Sequence, residues 1–226
     1  MDKLDAIVII PSYDRYEWLC DILYKLQNKD DCRYTYKVIV YNDASTDERY
    51  LELNSIFPDI QIIRSEQNGG KKYYWKTINK ILEEVKKHKF NYLIEIDDDF
   101  ELCDDFINIL LDNHIDSIYK DKKVVATAYT RENVRTMRWS TYEWIDGGFV
   151  LNKSILEMIN YKIPQMKPGG NGSSGVWTFI SKQIQRKGYK VNIHPNILIN
   201  HIGYEKSKMH PKFRKHIPII IKMNIE

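Results

Sequence analysis

The segment Ala6–Ile10 (AIVII) constrains the fold most: five consecutive apolar residues closed by Pro11. No polar side chain interrupts the run, so a strand made from it has no face to offer to water. It must lie inside a sheet covered on both sides. Comparable runs return at Tyr36–Tyr41 (YKVIVY), Ile60–Ile63, Tyr92–Ile96 and Val124–Tyr129. Between them apolar residues recur at helical spacing. Arg15–Gln27 carries Trp18, Leu19, Ile22, Leu23 and Leu26; Tyr73–Lys87 reads as a long amphipathic helix and Asp104–Leu111 as a shorter one. Ser45 or Thr46 is expected to cap a helix that carries Tyr50, Leu51 and Leu53. Alternation of strand and helix over roughly the first 130 residues predicts a mostly parallel sheet with helices on both faces. Ligands of such sheets sit beyond the carboxyl ends of the strands.

The remainder is less regular. Trp139–Leu151 is aromatic and predicted to be extended, and Asn152–Asn160 to be a short helix. Lys167–Gly175 holds four glycines in nine residues and reads as a loop or lid. Val176–Lys187 is a helix ended by Gly188, and Val191–His201 gives one or two strands. There is no internal repeat and no linker, so residues 1–226 are expected to form a single domain.

A net charge of +3 excludes a histone-like polycation or an acidic tail, but not a local basic patch. Three scattered cysteines, Cys20, Cys32 and Cys103, are too few for a disulfide scaffold or a zinc site. The N-terminal apolar run is short and no small-residue cleavage site follows it, so it does not read as a signal peptide. Ile217–Ile221 is far below the ~20 residues that span a bilayer. With no transmembrane segment, a cytoplasmic location is expected, host cytoplasm if the chain is viral. The Lys-, Ile-, Asn- and Tyr-rich composition is that of an AT-rich viral or bacterial genome.

The strongest local chemistry is Glu95–Asp105 (EIDDDFELCDD), with seven acidic groups in eleven residues and no Lys or Arg. Its densest part, Asp97-Asp98-Asp99, begins where an apolar strand ends. Adjacent carboxylates repel unless a cation or a proton intervenes. Carboxylates suit hard cations such as Mg²⁺ and Mn²⁺, which bridge substrate phosphates. In an extended or turning backbone Asp97 and Asp99 point to the same side and can share one ion. Asp104 and Asp105 read instead as helix capping. At the other end of the chain, residues 201–216 carry five Lys or Arg against Glu205. The small total charge thus conceals an acidic strand end suited to a divalent cation and a basic tail suited to phosphate.

Six short segments occur in order: IVIIPSYDR (7–15), VYNDASTDE (40–48), NGG (68–70), YLIEIDDDF (92–100), DGGFVLNKS (146–154) and INHIGYEKS (199–207). Together they resemble the family-2-like glycosyltransferases of GT-A fold, which use nucleotide-sugar donors. The resemblance implies one α/β Rossmann-like domain with a mostly parallel central sheet and a smaller acceptor-side sheet region. Residues 1–130 would form its nucleotide-sugar-binding part; residues 131–216 would form the acceptor side and a closing loop.

It implies that Pro11, Ser12, Tyr13, Asp14 and Arg15 touch the nucleotide, with Tyr13 stacking on the base or merely packing the loop. Asp43 would accept a hydrogen bond from base or ribose, or cap the next helix. Gly70 would let the backbone approach the donor, with Lys71 or Lys72 near phosphate. The family's small-Arg-Asn sequence is replaced here by Tyr74, Trp75 and Lys76, and Trp75 reads as core. Asp97 and Asp99 would be the DxD carboxylates, Asp99 on the cation and Asp97 on ribose or a metal-bound water, with Asp98 also on the donor side. His201 would be a further metal ligand, although a lone His is more often structural. Lys206 and Lys208 would close over the diphosphate. The cofactor implied is Mn²⁺ or Mg²⁺, and the donor is a nucleoside diphosphate sugar, UDP foremost.

Inverting members carry an acidic pair just before the late helix. Here Ser173-Ser174-Gly175 stands there, and no carboxylate lies between Glu157 and Glu205. Asp146 is the best substitute base and Glu143 the second; the alternative roles for Asp146 are holding an acceptor hydroxyl and capping a turn. Inverting and retaining chemistry both stay open. Around them Trp139, Tyr142, Trp144, Gly147 and Gly148 would face the acceptor. Aromatic rings suit sugar faces and nucleobases alike. A glycan, glycoprotein or small-molecule hydroxyl is the first expectation. A modified DNA base in a phage setting is an alternative acceptor. A non-catalytic nucleotide-sugar-binding module is an alternative function. A nucleotidyltransferase fits less well, because PSYDR lacks the Gly-rich loop.

Overall fold

The computed structural model describes residues 3–27, 31–130, 145, 147–166 and 175–202, with the side chains at 71, 130 and 197 set aside. Strand β1 (Leu4–Ser12) runs through the centre of a sheet. Its neighbours are β2 (Tyr36–Asn42) and β4 (Phe90–Glu95), both parallel to it, and β3 (Gln61–Arg64) lies outside β2. The apolar run of β1 has a simple use. Ala6, Val8 and Ile10 point into one core, and Ile7 and Ile9 into the other. A strand has a period of two, so a strand feeding two cores needs apolar residues at every position.

Helices fill both faces. On one side α1 (Tyr16–Gln27) and α4 (Phe106–Lys120) bury Leu19, Leu23, Phe106 and Leu110. On the other side α3 (Tyr74–Val85), α5 (Lys153–Met158) and α6 (Gly175–Arg186) bury Ile78, Ile81, Ile155, Trp177 and Ile180. Gly188, at φ +71°, ends the last turn after α6. The predicted helix after Ser45 is divided: a 3₁₀ turn (Glu48–Leu51) precedes a short α2 (Leu53–Ile56). Its cap is Asp47, whose carboxylate accepts from Arg49 N–H at 3.0 Å, whereas Ser45 is used elsewhere.

The sheet is seven-stranded, in the order β3-β2-β1-β4-β7-β6-β8. β6 (Val124–Thr130) and β8 (Lys190–Ile197) are parallel to each other. Between β4 and β6 lies β7 (Phe149–Asn152), antiparallel to both. A two-stranded sheet pairs β5 (Phe100–Leu102) with β9 (Ile199–His201), setting Phe100 opposite His201. No apolar run marks β5, which is embedded in the acidic stretch. Among the described residues no helix is long and apolar enough to cross a membrane.

The expectation that Asp104 and Asp105 cap α4 is corrected. Asp105 occupies the N-cap position at φ +55°, but its side chain makes no capping bond; it accepts from the Asn108 amide instead. Asp104 is paired with Lys25 at 3.1 Å. The helix also runs well beyond Leu111. His114, though polar, is fully buried and satisfied, with Nδ1 2.9 Å from Thr127 Oγ1 and Nε2 2.8 Å from Asn152 Oδ1. It therefore ties α4 to β6 and to the end of β7.

Burial pushes His114 down to about 4. Below its unfolded value near 6.5 the unfolded chain takes up a proton that the folded one refuses, so stability falls as pH drops through that window. Between pH 7 and pH 5 the stability of wild type relative to His114→Gln should fall by about 2 kcal/mol. Urea denaturation at the two pH values checks this, and a pH-independent difference would contradict it.

Candidate functional site

β1, β2 and β4 end side by side at Ser12, Asn42 and Glu95, and the chain order reverses between β1 and β4. That is where an open α/β sheet leaves a crevice. The turn after β1 is held by the turn after β2. Asp14 and Ala44 both sit at positive φ, +52° and +58°. The Asp14 carboxylate accepts from Thr46 N–H (2.7 Å), Thr46 hydroxyl (2.9 Å) and Asp47 N–H (3.2 Å). Desolvation works against its charge, but these bonds outweigh it and hold the carboxyl below its ordinary value. Ser45 Oγ accepts from Asp14 N–H at 3.1 Å. Asp14 is thus committed to binding the two turns together.

Asp43 is similarly engaged. Its carboxylate accepts from Gly69 N–H at 3.1 Å and Gly70 N–H at 3.2 Å, while the Asn68 amide donates to its carbonyl at 2.9 Å. The Asn-Gly-Gly loop is fastened to the end of β2. Gly70, at φ +55°, adopts a backbone that side chains disfavour. Lys71 opens a 3₁₀ turn (Lys71–Tyr73) leading into α3. Lys72 and Lys76 lie 5.3 and 4.6 Å from the Tyr73 ring centre. Trp75 packs partly buried against the second core, as expected.

The acidic triplet meets the first turn directly. Tyr13 N–H donates to Asp98 Oδ2 at 3.0 Å. Arg15 Nη1 lies 2.6 Å from Asp98 Oδ1 and 2.9 Å from Asp99 Oδ2. The other oxygen of Asp99 is 3.1 Å from His201 Nε2. Burial pushes Asp98 up to about 6; Arg15 offsets this in part and the charge of Asp99 reinforces it. Asp98 and Asp99 share a partner, while Asp97 stands more exposed at the end of the strand. Among the described residues no three His, Cys, Asp or Glu side chains form a metal-ligand cluster. Asp99 and His201 supply one hard oxygen and one imidazole nitrogen, a donor set suited to Mn²⁺ when phosphate and water complete the shell.

Tyr13 leaves its ring 42% exposed at the mouth of the crevice. Ser12 is buried, its Oγ 2.7 Å from the Tyr50 hydroxyl, which also accepts from Arg15 N–H at 3.0 Å. Pro11 continues β1 in register with Tyr41. Gly147 and Gly148 are buried; Gly148 N–H donates to the carboxylate of Glu95. At φ +87°, a Cβ on Gly148 would lie 2.8 Å from Tyr129 Cδ2. Packing therefore accounts for this glycine without an acceptor. Glu143, Asp146, Trp139, Tyr142, Trp144, Lys206 and Lys208 lie outside the described residues. Two site residues escaped the sequence reading. Tyr50 gave no signal beyond its apolar spacing. Glu95 gave one, as the only charge inside YLIEI.

The model of the family described as glycosyl transferase family 2 matches residues 7–198, and the chain belongs to that family. Its fold is shared by solved structures, a mannosyltransferase among them. S. aureus TarS (residues 1–349) superposes with a TM-score of 0.61 at 15% identity, over 89% of this chain and 61% of that one. The mannosyltransferase PcManGT from Pyrobaculum calidifontis, in complex with GDP-Man and Mn²⁺, gives 0.66 at 16%, over 89% and 58%. GalNAc-T7, with UDP, GalNAc and Mn²⁺, gives 0.61 at 14%, over 88% and 44%. The chain spans about three fifths or less of these structures. No curated protein matches it at a significant level.

Because Asp43 anchors two backbone N–H groups, Asp43→Ala should destabilise the fold by about 1–3 kcal/mol. Asp43→Asn, which still accepts, should fall between the two. Urea denaturation reads both; unchanged stability in Asp43→Ala would refute the anchoring role.

Proposed function

We propose that this chain is a metal-dependent glycosyltransferase that moves a sugar from a nucleoside diphosphate sugar to a hydroxyl acceptor. The observation that carries the proposal is the meeting of Tyr13, Arg15, Asp98, Asp99 and His201 at the strand ends of a family-2 fold. UDP is the favoured nucleotide, since TarS and GalNAc-T7 have both been solved with it. Residues 1–130 hold the donor; residues 131–216 supply the acceptor side.

In this reading the exposed Tyr13 ring stacks on the base, a contact worth roughly 1–3 kcal/mol. The turn that Asp14 clips in place positions that ring and the backbone beside it. Asp43 acts mainly by holding the Asn-Gly-Gly loop, which leaves the Gly70 backbone close to the donor. Asp99 and His201 would hold the divalent cation, and Asp97 would face the ribose or a metal-bound water. The cation, when bound, supplies charge neutralisation for the departing diphosphate. Arg15 supplies further positive charge there, and Lys71 and Lys206 are assigned to the diphosphate. Asp146, with Glu143 as second choice, takes the acceptor proton. Trp139, Tyr142 and Trp144 stack on the acceptor.

Two experiments test the reading. UDP at 100 times its dissociation constant, with Mn²⁺, should stabilise the chain by about 2.7 kcal/mol. Asp99→Ala should lose the Mn²⁺-dependent part of that gain and all transfer while remaining folded. Full activity in that variant, or no stabilisation by any nucleoside diphosphate, would sink the proposal. Asp146→Asn should lower turnover at least ~100-fold with donor affinity unchanged. A near-normal rate would remove Asp146 as the base.

A further inference from the structure

Arg15 is anchored at its root by backbone and at its tip by two carboxylates. Its backbone N–H is fixed by the Tyr50 hydroxyl at 3.0 Å, independently of the side chain. Its guanidinium lies within 2.9 Å of both Asp98 and Asp99, whose side chains are 7% and 8% exposed, while its own is 41% exposed. The carboxylates are walled in and the arginine reaches solvent. Asp99 meets His201 through Oδ1 and Arg15 through Oδ2. A divalent cation that uses Asp99 together with His201 must therefore share that carboxylate with a positive charge already in contact with it.

We propose that Arg15 is an exchangeable counter-ion of the Asp98–Asp99 pair, which competes with the divalent cation and yields when a diphosphate offers the guanidinium another partner. The proposal rests on the donor-site reading above and adds to it a residue that couples two ligands. Two positive charges on one carboxylate repel, so a cation arriving alone must displace a guanidinium from a low-dielectric contact. A diphosphate removes that obstacle, because guanidinium binds phosphate oxygens in a fork at least as well as carboxylate. Cation and nucleotide then bind cooperatively, and each must tighten the other by the same factor. The protein alone discriminates against free divalent cations and accepts the cation with its nucleotide.

The test is Mn²⁺ binding to the whole chain, followed by calorimetry and by the electron paramagnetic resonance signal of free Mn²⁺, without and with UDP. Without nucleotide, Arg15→Gln should bind Mn²⁺ on the order of tenfold more tightly than wild type, with Arg15→Lys in between. In Arg15→Gln the factor by which UDP tightens Mn²⁺ should shrink correspondingly. Equal or weaker Mn²⁺ binding by Arg15→Gln, or no Mn²⁺ binding by either protein, overturns the proposal. Tighter Mn²⁺ binding in a chain that binds no UDP supports the exchange on the carboxylates and instead sinks the donor-site reading. If Arg15→Gln does not fold, Arg15→Lys carries the test, and an Mn²⁺ affinity equal to wild type overturns the proposal.

Discussion

Everything in this molecule is arranged around the double-sided burial of β1. A strand with helices on both faces and paired strands on both edges has no place for a polar side chain between Ala6 and Ile10. After that run the first polar group of β1 is Ser12, and β2 and β4 likewise end on polar residues, Asn42 and Glu95. The polar groups of the site gather at the carboxyl ends of these strands, where the apolar runs stop. The site is then built from turns: Asp14 joins the first to the second, Asp43 joins the second to the Asn-Gly-Gly loop, and Asp98 joins the first to the acidic strand end.

Three aspartates thus do structural work that their chemistry does not advertise. A carboxylate offers two oxygens and about four lone-pair directions, enough to satisfy several N–H groups of a turn at once. Turns next to an α/β crevice have many such groups and few helical or strand partners. Acidic residues there serve as backbone anchors first, and only the oxygens left over can meet a ligand. Asp99 faces two other side chains, Arg15 and His201.

The architecture was legible because its signals were local. Apolar runs such as AIVII and the helical spacing of Leu19, Leu23 and Leu26 survive any tertiary context. The meeting of the first turn with the acidic triplet was legible only through the order of motifs along the chain. What stayed hidden depended on contacts across long separations. β5 takes its strand form from pairing with β9, about 100 residues away. α4 extends past Leu111 because Thr127 and Asn152 satisfy His114. The sharing of Arg15 by Asp98 and Asp99 was hidden too, because Arg15 reaches them from the turn after β1, 83 residues before Asp98 in the chain.

The antiparallel strand β7 has a consequence for the order in which the chain becomes complete. It is four residues long and is the strand that joins β3-β2-β1-β4 to β6-β8, yet it follows β6 in the sequence. As the chain leaves the ribosome, β4 is already made but presents a bare row of amide and carbonyl groups. β6 emerges next and cannot cover that edge, because the place beside β4 belongs to β7. Until residues 149–152 arrive and insert, the nascent sheet carries an open edge of the kind that recruits strands from other molecules.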